Sequence, residues 1–213
     1  VLPFKLDDGG YLEAQVKDLN GCFNVNSLIG ASGNDNLARL KRLFQSVDVN
    51  RGLADLIKDW VDVDQVTTGF GAEDNAYLGL TPPYRTANQP MRHISELFLL
   101  NNIEFEDISA ILPHLCVIPS ASNKVNINTA SASFLYSLDA SISIDAAQGV
   151  VESERSFLDV KSFIEANPEF EVVAPQLGVT SEYFEVHAKV QVGESTMSLA
   201  SLFFRNTETG EVT

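Results

Sequence analysis

Alternating apolar and polar residues near both ends of this chain constrain its fold more than any other feature. From Leu12 to Val16 and from Phe184 to Val192, every second residue is apolar. A period of two predicts strands with one apolar and one solvated face. We therefore predict a first hairpin over residues 11–25 and a last hairpin over residues 182–205.

Both hairpins have a turn signal of their own. Asn20-Gly21 predicts the first turn, because both residues tolerate positive φ, and Cys22 then begins the return strand. Gly193-Glu194 predicts the last turn. An isolated hairpin is marginally stable, so each one needs another layer. Either the two hairpins share one sheet, or a helix outside this sequence covers them.

Between the hairpins the apolar residues recur at helical spacing. The pattern predicts a cap at Asn34-Asp35-Asn36 and then helices that carry Leu37–Val47, Leu53–Val61, Leu97–Leu100, Phe105–Leu112, Phe134–Leu138, Ala146–Val151 and Val160–Ile164. The predicted fold class is therefore α+β, an antiparallel sheet that is split in sequence by a large inserted helical region.

The helical region contains an internal echo. Phe23-Asn-Val-Asn-Ser-Leu28 and Val125-Asn-Ile-Asn-Thr-Ala130 both alternate apolar residues with asparagine and end in a hydroxyl that can cap a helix. The echo predicts two similar helical units in tandem.

An acidic loop follows the helix that ends near Trp60. It carries Asp62, Asp64, Glu73 and Asp74, with Gly69 and Gly71 between them. Carboxylates near a helix C-terminus oppose the helix dipole, which indicates a cation as the missing partner. The spacing differs from that of an EF-hand. The loop is thus either a calcium loop of another design or a solvated acidic turn.

The charge balance excludes some partners. The net charge is −15, from 14 Lys and Arg against 29 Asp and Glu. Nucleic acids and anionic membrane surfaces need basic contacts, so neither is an expected partner. The histidines are scattered, and the sequence contains no nucleophile elbow, phosphate-binding loop or zinc motif. The sequence does not predict an enzyme, and Arg85 is expected to pair with the nearby acids.

Two further features concern cellular context. The chain begins Val-Leu-Pro-Phe without an initiator Met, which suggests a trimmed or processed protein. Its two cysteines, Cys22 and Cys116, either form a disulfide in an oxidising compartment or are two buried thiols.

A series of short motifs resembles the type II secretion system minor pseudopilin K, in order and in spacing, over roughly residues 10–205. The motifs are Asn24-Val-Asn-Ser-Leu28, Trp60-x-Asp-x-Asp64, Gly71-Ala-Glu-Asp-x-x-Tyr77, Pro83-Tyr-Arg-x-Ala-Asn88, Ser95-Glu-Leu97 and Val125-Asn-Ile-Asn-Thr-Ala130. Each is weak alone, and together they are specific.

The resemblance implies a pilin-like sheet interrupted by an α-domain of two SAM-like units. Residues 1–26 and 179–213 would supply the first and last strands of the sheet. Residues 27–119 would form the first helical unit, and residues 120–178 the second.

The resemblance also implies a cellular setting and partners. Members of this family are anchored in the bacterial inner membrane by a single N-terminal helix, absent from this sequence, and the remainder lies in the periplasm. They sit at the pseudopilus tip with minor pseudopilins I and J, and help to start its assembly. The major pseudopilin and secreted substrates are further possible partners.

The resemblance also has implications for a metal site and for a disulfide bond. The α-domain of this family holds calcium, which gives Asp62, Asp64, Glu73 and Asp74 as candidate ligands. A periplasmic location favours a disulfide between Cys22 and Cys116.

These observations leave three hypotheses about function. The chain is a structural assembly protein of the secretion apparatus, or a calcium-dependent module that captures secreted substrates at the tip. A hydrolase that uses the loop's metal is the least favoured, because no nucleophile or general base accompanies the acids.

Overall fold

The computed structural model describes residues 3–7, 9–120 and 124–213. In chain order the strands are β1 (Phe4–Lys5), β2 (Tyr11–Asp18), β3 (Phe23–Asn24), β4 (Leu115–Cys116), β5 (Val125–Asn126), β6 (Leu177–Gly178), β7 (Tyr183–Val192) and β8 (Ser195–Phe204). The α-helices are α1 (Gly33–Ser46), α2 (Leu53–Val61), α3 (Asp74–Tyr77), α4 (Phe105–Ile111), α5 (Ala132–Ser137), α6 (Ile144–Glu152) and α7 (Val160–Ala166). Short 3₁₀ segments lie at Leu19–Gly21, Val25–Leu28, Ile94–Leu99, Leu112–His114 and Pro168–Gln176.

The main sheet joins the two ends of the chain. Its order is β1-β2-β7-β8, and each neighbouring pair is antiparallel. Ala14 pairs with Ala188, which pairs with Leu199. The predicted last hairpin is correct, and it turns at Gly193 with a φ of +58°. At the end of β8, the backbone of Thr213 pairs back on Phe204.

The predicted first hairpin over residues 11–25 is wrong. β2 pairs with β1 and β7, whereas β3 forms a parallel bridge with β4. The Asp18 carboxylate accepts the Asn20 N–H at 2.8 Å and winds Leu19–Gly21 into a 3₁₀ turn. The buried Asn20 side chain accepts the backbone N–H groups of Glu182 and Tyr183, and so serves the pairing of β2 with β7.

Gly21 is required for a reason other than a hairpin turn. A Cβ at this position would lie 2.8 Å from Thr129 Oγ1. The glycine therefore allows close approach between the end of β2 and the turn before α5, which a side chain would prevent.

Helix α1 is central to the helical region. Leu37, Leu40, Leu43 and Phe44 form its buried face, which packs against α2 and α5. Arg42 of the same helix donates to the carbonyls of Tyr136, Asp139 and Ile142. One hydrophobic core therefore runs through the whole helical region.

The two asparagine motifs make the same contacts. Asn26 Nδ2 donates to the carbonyls of Met91 and Ile118, and its Oδ1 accepts the Met91 N–H. Asn128 repeats this pattern with the N–H and C=O of Phe157 and the carbonyl of Val179. Each motif also lies at a short parallel bridge, β3–β4 in the first case and β5–β6 in the second.

Asp18 connects the sheet to the second helical stretch. Its Oδ2 accepts hydrogen bonds from Asn126 Nδ2, Thr129 Oγ1 and Ser181 Oγ at 3.0, 2.6 and 2.6 Å. The two places where the chain leaves and re-enters the sheet are thereby held together.

Cys22 and Cys116 form a disulfide across the β3–β4 bridge, with their Cα atoms 5.8 Å apart. They pack with Leu19 and Ile118 in a small buried cluster beside the main core.

One face of the sheet exposes apolar side chains. Val16, Met197 and Leu199 lie on the same face by register, and they are 67%, 75% and 62% exposed. A membrane-spanning helix is not found among the residues that the structure describes.

The asparagine motif yields a stability prediction. Asn26→Ala removes three buried hydrogen bonds and leaves the Met91 amide without its partner, so the free energy of unfolding should fall by about 2–4 kcal/mol. Urea denaturation measures this change. Asn34→Ala, at an exposed position in α1, is the control and should change the value by less than about 0.5 kcal/mol. Equal losses for the two variants would contradict the role given to Asn26.

Candidate metal centre

Helix α2 presents acids on its buried side. Asp55 and Asp59 are spaced i and i+4, so they share a face of α2, and Asp62 is the first residue after the helix. The exposed fractions of the three are 1%, 0% and 6%. Buried carboxylates are costly unless hydrogen bonds or cations compensate them. The loop after α2 supplies part of that compensation.

The loop runs back along α2 and donates its backbone N–H groups to these acids. Both oxygens of Asp59 accept the Thr68 N–H at 3.1 Å, and Asp55 Oδ2 accepts the Phe70 N–H at 3.2 Å. Asp55 Oδ1 also pairs with Lys41 Nζ at 2.6 Å. Asp59 is thus hydrogen-bonded within the chain, and Asp55 is compensated by one hydrogen bond and, at Oδ1, by the ion pair with Lys41 alone.

The loop glycines allow this close approach. A Cβ at Gly69 would lie 2.5 Å from Asp55 Oδ2, and one at Gly71 would overlap Asp59 Oδ2. Gly69 also has a φ of +52°, which glycine adopts without strain. The glycines let backbone amides reach buried carboxylates.

Three acids converge at the start of the loop. One carboxylate oxygen from each of Asp62, Asp64 and Glu73 lies within 4.8 Å of the other two. Asp62 and Glu73 are buried, and Asp64 is exposed. The described part of the chain contains no second group of this kind.

Two oxygens in this cluster lack a hydrogen-bond partner among the described residues. Asp62 Oδ2 pairs with Lys58 at 3.2 Å, whereas its Oδ1 is buried and unpaired. Glu73 Oε2 accepts from Gln65 Nε2 at 3.4 Å, whereas its Oε1 is buried and unpaired. Each side chain therefore has one oxygen held by the protein and one left without a partner.

The electrostatics of the cluster are strained in the absence of a cation. Burial, together with the charges of Asp59, Asp62, Asp64 and Asp74, raises the pKa of Glu73 to about 7. Burial also raises the pKa of Asp59, and the neighbouring Asp62 and Asp55 add to that rise. Removal of negative charge, by protonation or by a bound cation, relieves the repulsion.

The donor set fits a hard divalent cation. Carboxylate oxygens are the ligands that Ca²⁺ and Mg²⁺ prefer, and two of them are buried without partners. Asp64 is exposed, so water has access to the remaining positions. The site would hold such an ion through Asp62, Asp64 and Glu73.

Asp74, the fourth predicted ligand, is not brought into this group. It begins helix α3, and its Oδ1 accepts from the backbone and hydroxyl of Thr86 at 3.1 and 2.9 Å. Its Oδ2 pairs with Arg85, which confirms the structural role predicted for that arginine. The sequence placed Asp74 beside Glu73, but the helix turns its side chain towards a different partner.

Sequence analysis missed Asp55 and Asp59. Their signal was present, because acids at i and i+4 of a helix share one face. The apolar stripe of α2, which includes Leu56, Ile57 and Trp60, was sufficient to predict the helix, so its acidic face was not interpreted.

A family model and the known proteins that resemble this chain all carry the same family name. A model of the family "Type II secretion system (T2SS), protein K" matches residues 21–120. Type II secretion system protein K of Aeromonas hydrophila is 33% identical over an aligned length of 228 residues, and the alignment covers 95% of this chain and 69% of that protein. The Pseudomonas aeruginosa protein of the same name is 32% identical, with 95% and 63% covered.

A solved structure shares the fold. A chain in the crystal structure of the GspK-GspI-GspJ complex from enterotoxigenic Escherichia coli superimposes with a TM-score of 0.82 at 24% identity. The match covers 100% of this chain and 80% of that chain.

This chain therefore belongs to the type II secretion system protein K family. It spans about two thirds of the length of the curated relatives it matches, 69% of one and 63% of another.

The raised pKa of Glu73 predicts a pH dependence of the cation-free protein. The folded state holds this proton up to a pH of about 7, whereas the unfolded chain releases it near 4.5. Stability should therefore fall as pH rises through that window. Urea unfolding in metal-free buffer at successive pH values measures this fall. Glu73→Gln cannot ionise and should flatten the curve, so parallel curves for the two proteins would refute the assignment.

Proposed function

We propose that this chain is the periplasmic part of a minor pseudopilin that caps the tip of the type II secretion pseudopilus and helps to initiate its assembly. Its role is then structural rather than enzymatic. In this proposal its partners are minor pseudopilins I and J, the components named with K in the complex whose fold it shares.

The observation that carries this proposal is the way the helical region leaves the sheet. Asp18, the last residue of β2, pairs with Phe184 near the start of β7, so exit and re-entry are adjacent. The described residues between 19 and 182 therefore project from one end of the sheet. A subunit with such a projection can accept a neighbour below it but not above it, which ends a helical fibre.

The apolar face of the sheet supports a pilin-like architecture. Val16, Met197 and Leu199 together present an apolar surface that an amphipathic or hydrophobic helix would cover. We assign this surface to the N-terminal helix that anchors members of this family in the inner membrane. The pilin-like parts are then residues 1–26 and 179–213.

The repeated asparagine contacts support two SAM-like units in the helical region. Asn26 and Asn128 make equivalent hydrogen bonds, and each unit closes on a parallel bridge at its ends. Residues 27–119 and 120–178 are the boundaries we propose. Arg42 and the shared core hold the two units together.

We further propose that Asp62, Asp64 and Glu73 hold calcium. The ion would supply positive charge to three carboxylates that otherwise repel one another. The loop that these residues bracket is also fastened to α2 through Asp55 and Asp59. Cation and amides together would fix the loop against the first helical unit.

The alternative function, capture of secreted substrates at the tip, is favoured by one observation. The acidic loop exposes Val63, Val66 and Phe70 to 78%, 73% and 83%. Three exposed apolar side chains on one ordered loop are the kind of feature that marks a binding surface. The loop would then present them in a calcium-dependent manner.

Calcium should raise the melting temperature of the chain. At a calcium concentration about 100 times Kd, the expected rise is about 5–10 °C, and a chelator should reverse it. Asp62→Asn should reduce the rise in a thermal unfolding assay, because only two of the three carboxylates, Asp64 and Glu73, then remain. Asp74→Asn should keep the calcium-induced rise but lower the melting temperature measured without calcium, because Asp74 pairs with Arg85 and accepts a hydrogen bond from Thr86. A chelator-insensitive melt of the unaltered chain would contradict the metal site.

Assembly and capture can be separated by one set of mixing experiments. If the chain caps the tip, it should co-elute with the soluble domains of minor pseudopilins I and J as one complex in size-exclusion chromatography. The triple variant Val63→Ser, Val66→Ser and Phe70→Ser should leave that complex intact. Leu158→Ser, which alters an apolar side chain that is 90% exposed elsewhere, is its control. Binding only to an exported protein, lost in the triple variant, would instead establish capture.

A further inference from the structure

Lys58 lies between the acidic cluster and the first asparagine motif. It is one helical turn before Asp62, and its Nζ lies 3.2 Å from Asp62 Oδ2. The same ammonium group donates to the carbonyl of Leu28 at 3.0 Å. Its side chain is 14% exposed, so these contacts form with little competition from water.

The contact with Lys58 gives the two carboxylate oxygens of Asp62 different environments. Asp62 is the first residue after α2, with extended backbone at φ −80° and ψ 169°, so the helix does not fix its side chain. Lys58 holds Oδ2, Oδ1 is buried without a partner among the described residues, and Asp62 contributes one carboxylate oxygen to the group formed with Asp64 and Glu73. The Leu28 carbonyl in turn fixes the position of the ammonium group.

We propose that Lys58 is a positioning residue for the cation site. Its ammonium group is fixed by the Leu28 carbonyl and holds Asp62 Oδ2, which leaves Asp62 Oδ1 available to the cluster. This inference rests on the proposed calcium site. It adds to that site a basic residue, whose charge is opposite to that of the carboxylate ligands.

Removal of Lys58 has two opposite effects on calcium affinity. By Coulomb's law alone, a positive charge beside a cation site weakens binding, so its removal should tighten binding. Side chains that orient metal ligands have the reverse effect, and their loss typically weakens affinity about 10–100-fold. Without Lys58, Asp62 Oδ2 would also be left buried without its ion-pair partner. Orientation and charge thus predict opposite changes.

Calcium titration of Lys58→Met by isothermal calorimetry decides between them. We expect an affinity about 10–100-fold weaker than that of the unaltered chain. The matched control is Lys161→Met, because Lys161 pairs with Glu165 at the same i, i+4 spacing, 3.7 Å apart, on an exposed helix face. Its affinity should be unchanged. Unchanged or tighter binding by Lys58→Met would overturn the proposal.

A double-mutant cycle separates positioning from general stabilisation. In the Asp62→Asn background, Lys58→Met should change the residual calcium affinity little, because the group that it positions is already altered. An equal loss in both backgrounds would show that Lys58 acts only on the fold, and would overturn the proposal. Should Lys58→Met fail to fold, Lys58→Gln takes its place with the same expected direction, since the shorter amide cannot span Asp62 and Leu28.

The two proposals fail in different ways. If the unaltered chain does not bind calcium, the calcium site is wrong. If the unaltered chain binds calcium and Lys58→Met binds it as well or better, the site stands and only the role of Lys58 is wrong.

Discussion

The burial of carboxylates along one face of α2 is the constraint on which the first helical unit depends. Asp55 and Asp59 are satisfied by Lys41 and by loop amides, which requires glycine at positions 69 and 71. Asp62 and Glu73 are satisfied only in part, since each retains a buried oxygen without a partner among the described residues. A bound cation would complete this arrangement, because positive charge offsets the mutual repulsion of the acids. The loop and the helix form one structural unit through the contacts of Asp55 and Asp59.

The rest of the fold attaches that unit to the sheet. Side-chain amides recur at the joints: Asn20 binds the start of β7, while Asn26 and Asn128 each bind two backbone segments. These contacts use buried polar groups whose loss is costly, so they fix the joints more strictly than apolar packing alone. A rigidly mounted projection at one end of a sheet suits a fibre-capping subunit.

The sequence predicted those elements whose signal is periodic. The β7–β8 hairpin and six of the α-helices followed from apolar spacing, whereas the predicted helix at Leu97–Leu100 is a 3₁₀ segment and α3 was not predicted. The two asparagine motifs, which resemble each other in sequence, make equivalent hydrogen bonds. The prediction failed where a local signal was overridden by tertiary contacts. Asn20-Gly21 resembles a hairpin turn, but Asn20 binds β7 and Gly21 gives room to Thr129. Asp74 resembles a ligand, but Thr86 and Arg85 occupy its carboxylate. Such partners are distant in sequence, so local patterns do not reveal them.

The most direct test of the calcium site is crystallographic. Crystals grown with calcium, measured at a wavelength where calcium scatters anomalously, locate the ion without reference to any assumed ligand. We expect an anomalous peak about 2.3–2.6 Å from Asp62 Oδ1 and Glu73 Oε1. An absent peak, with the two oxygens still unpaired or the loop displaced from α2, would contradict the calcium site.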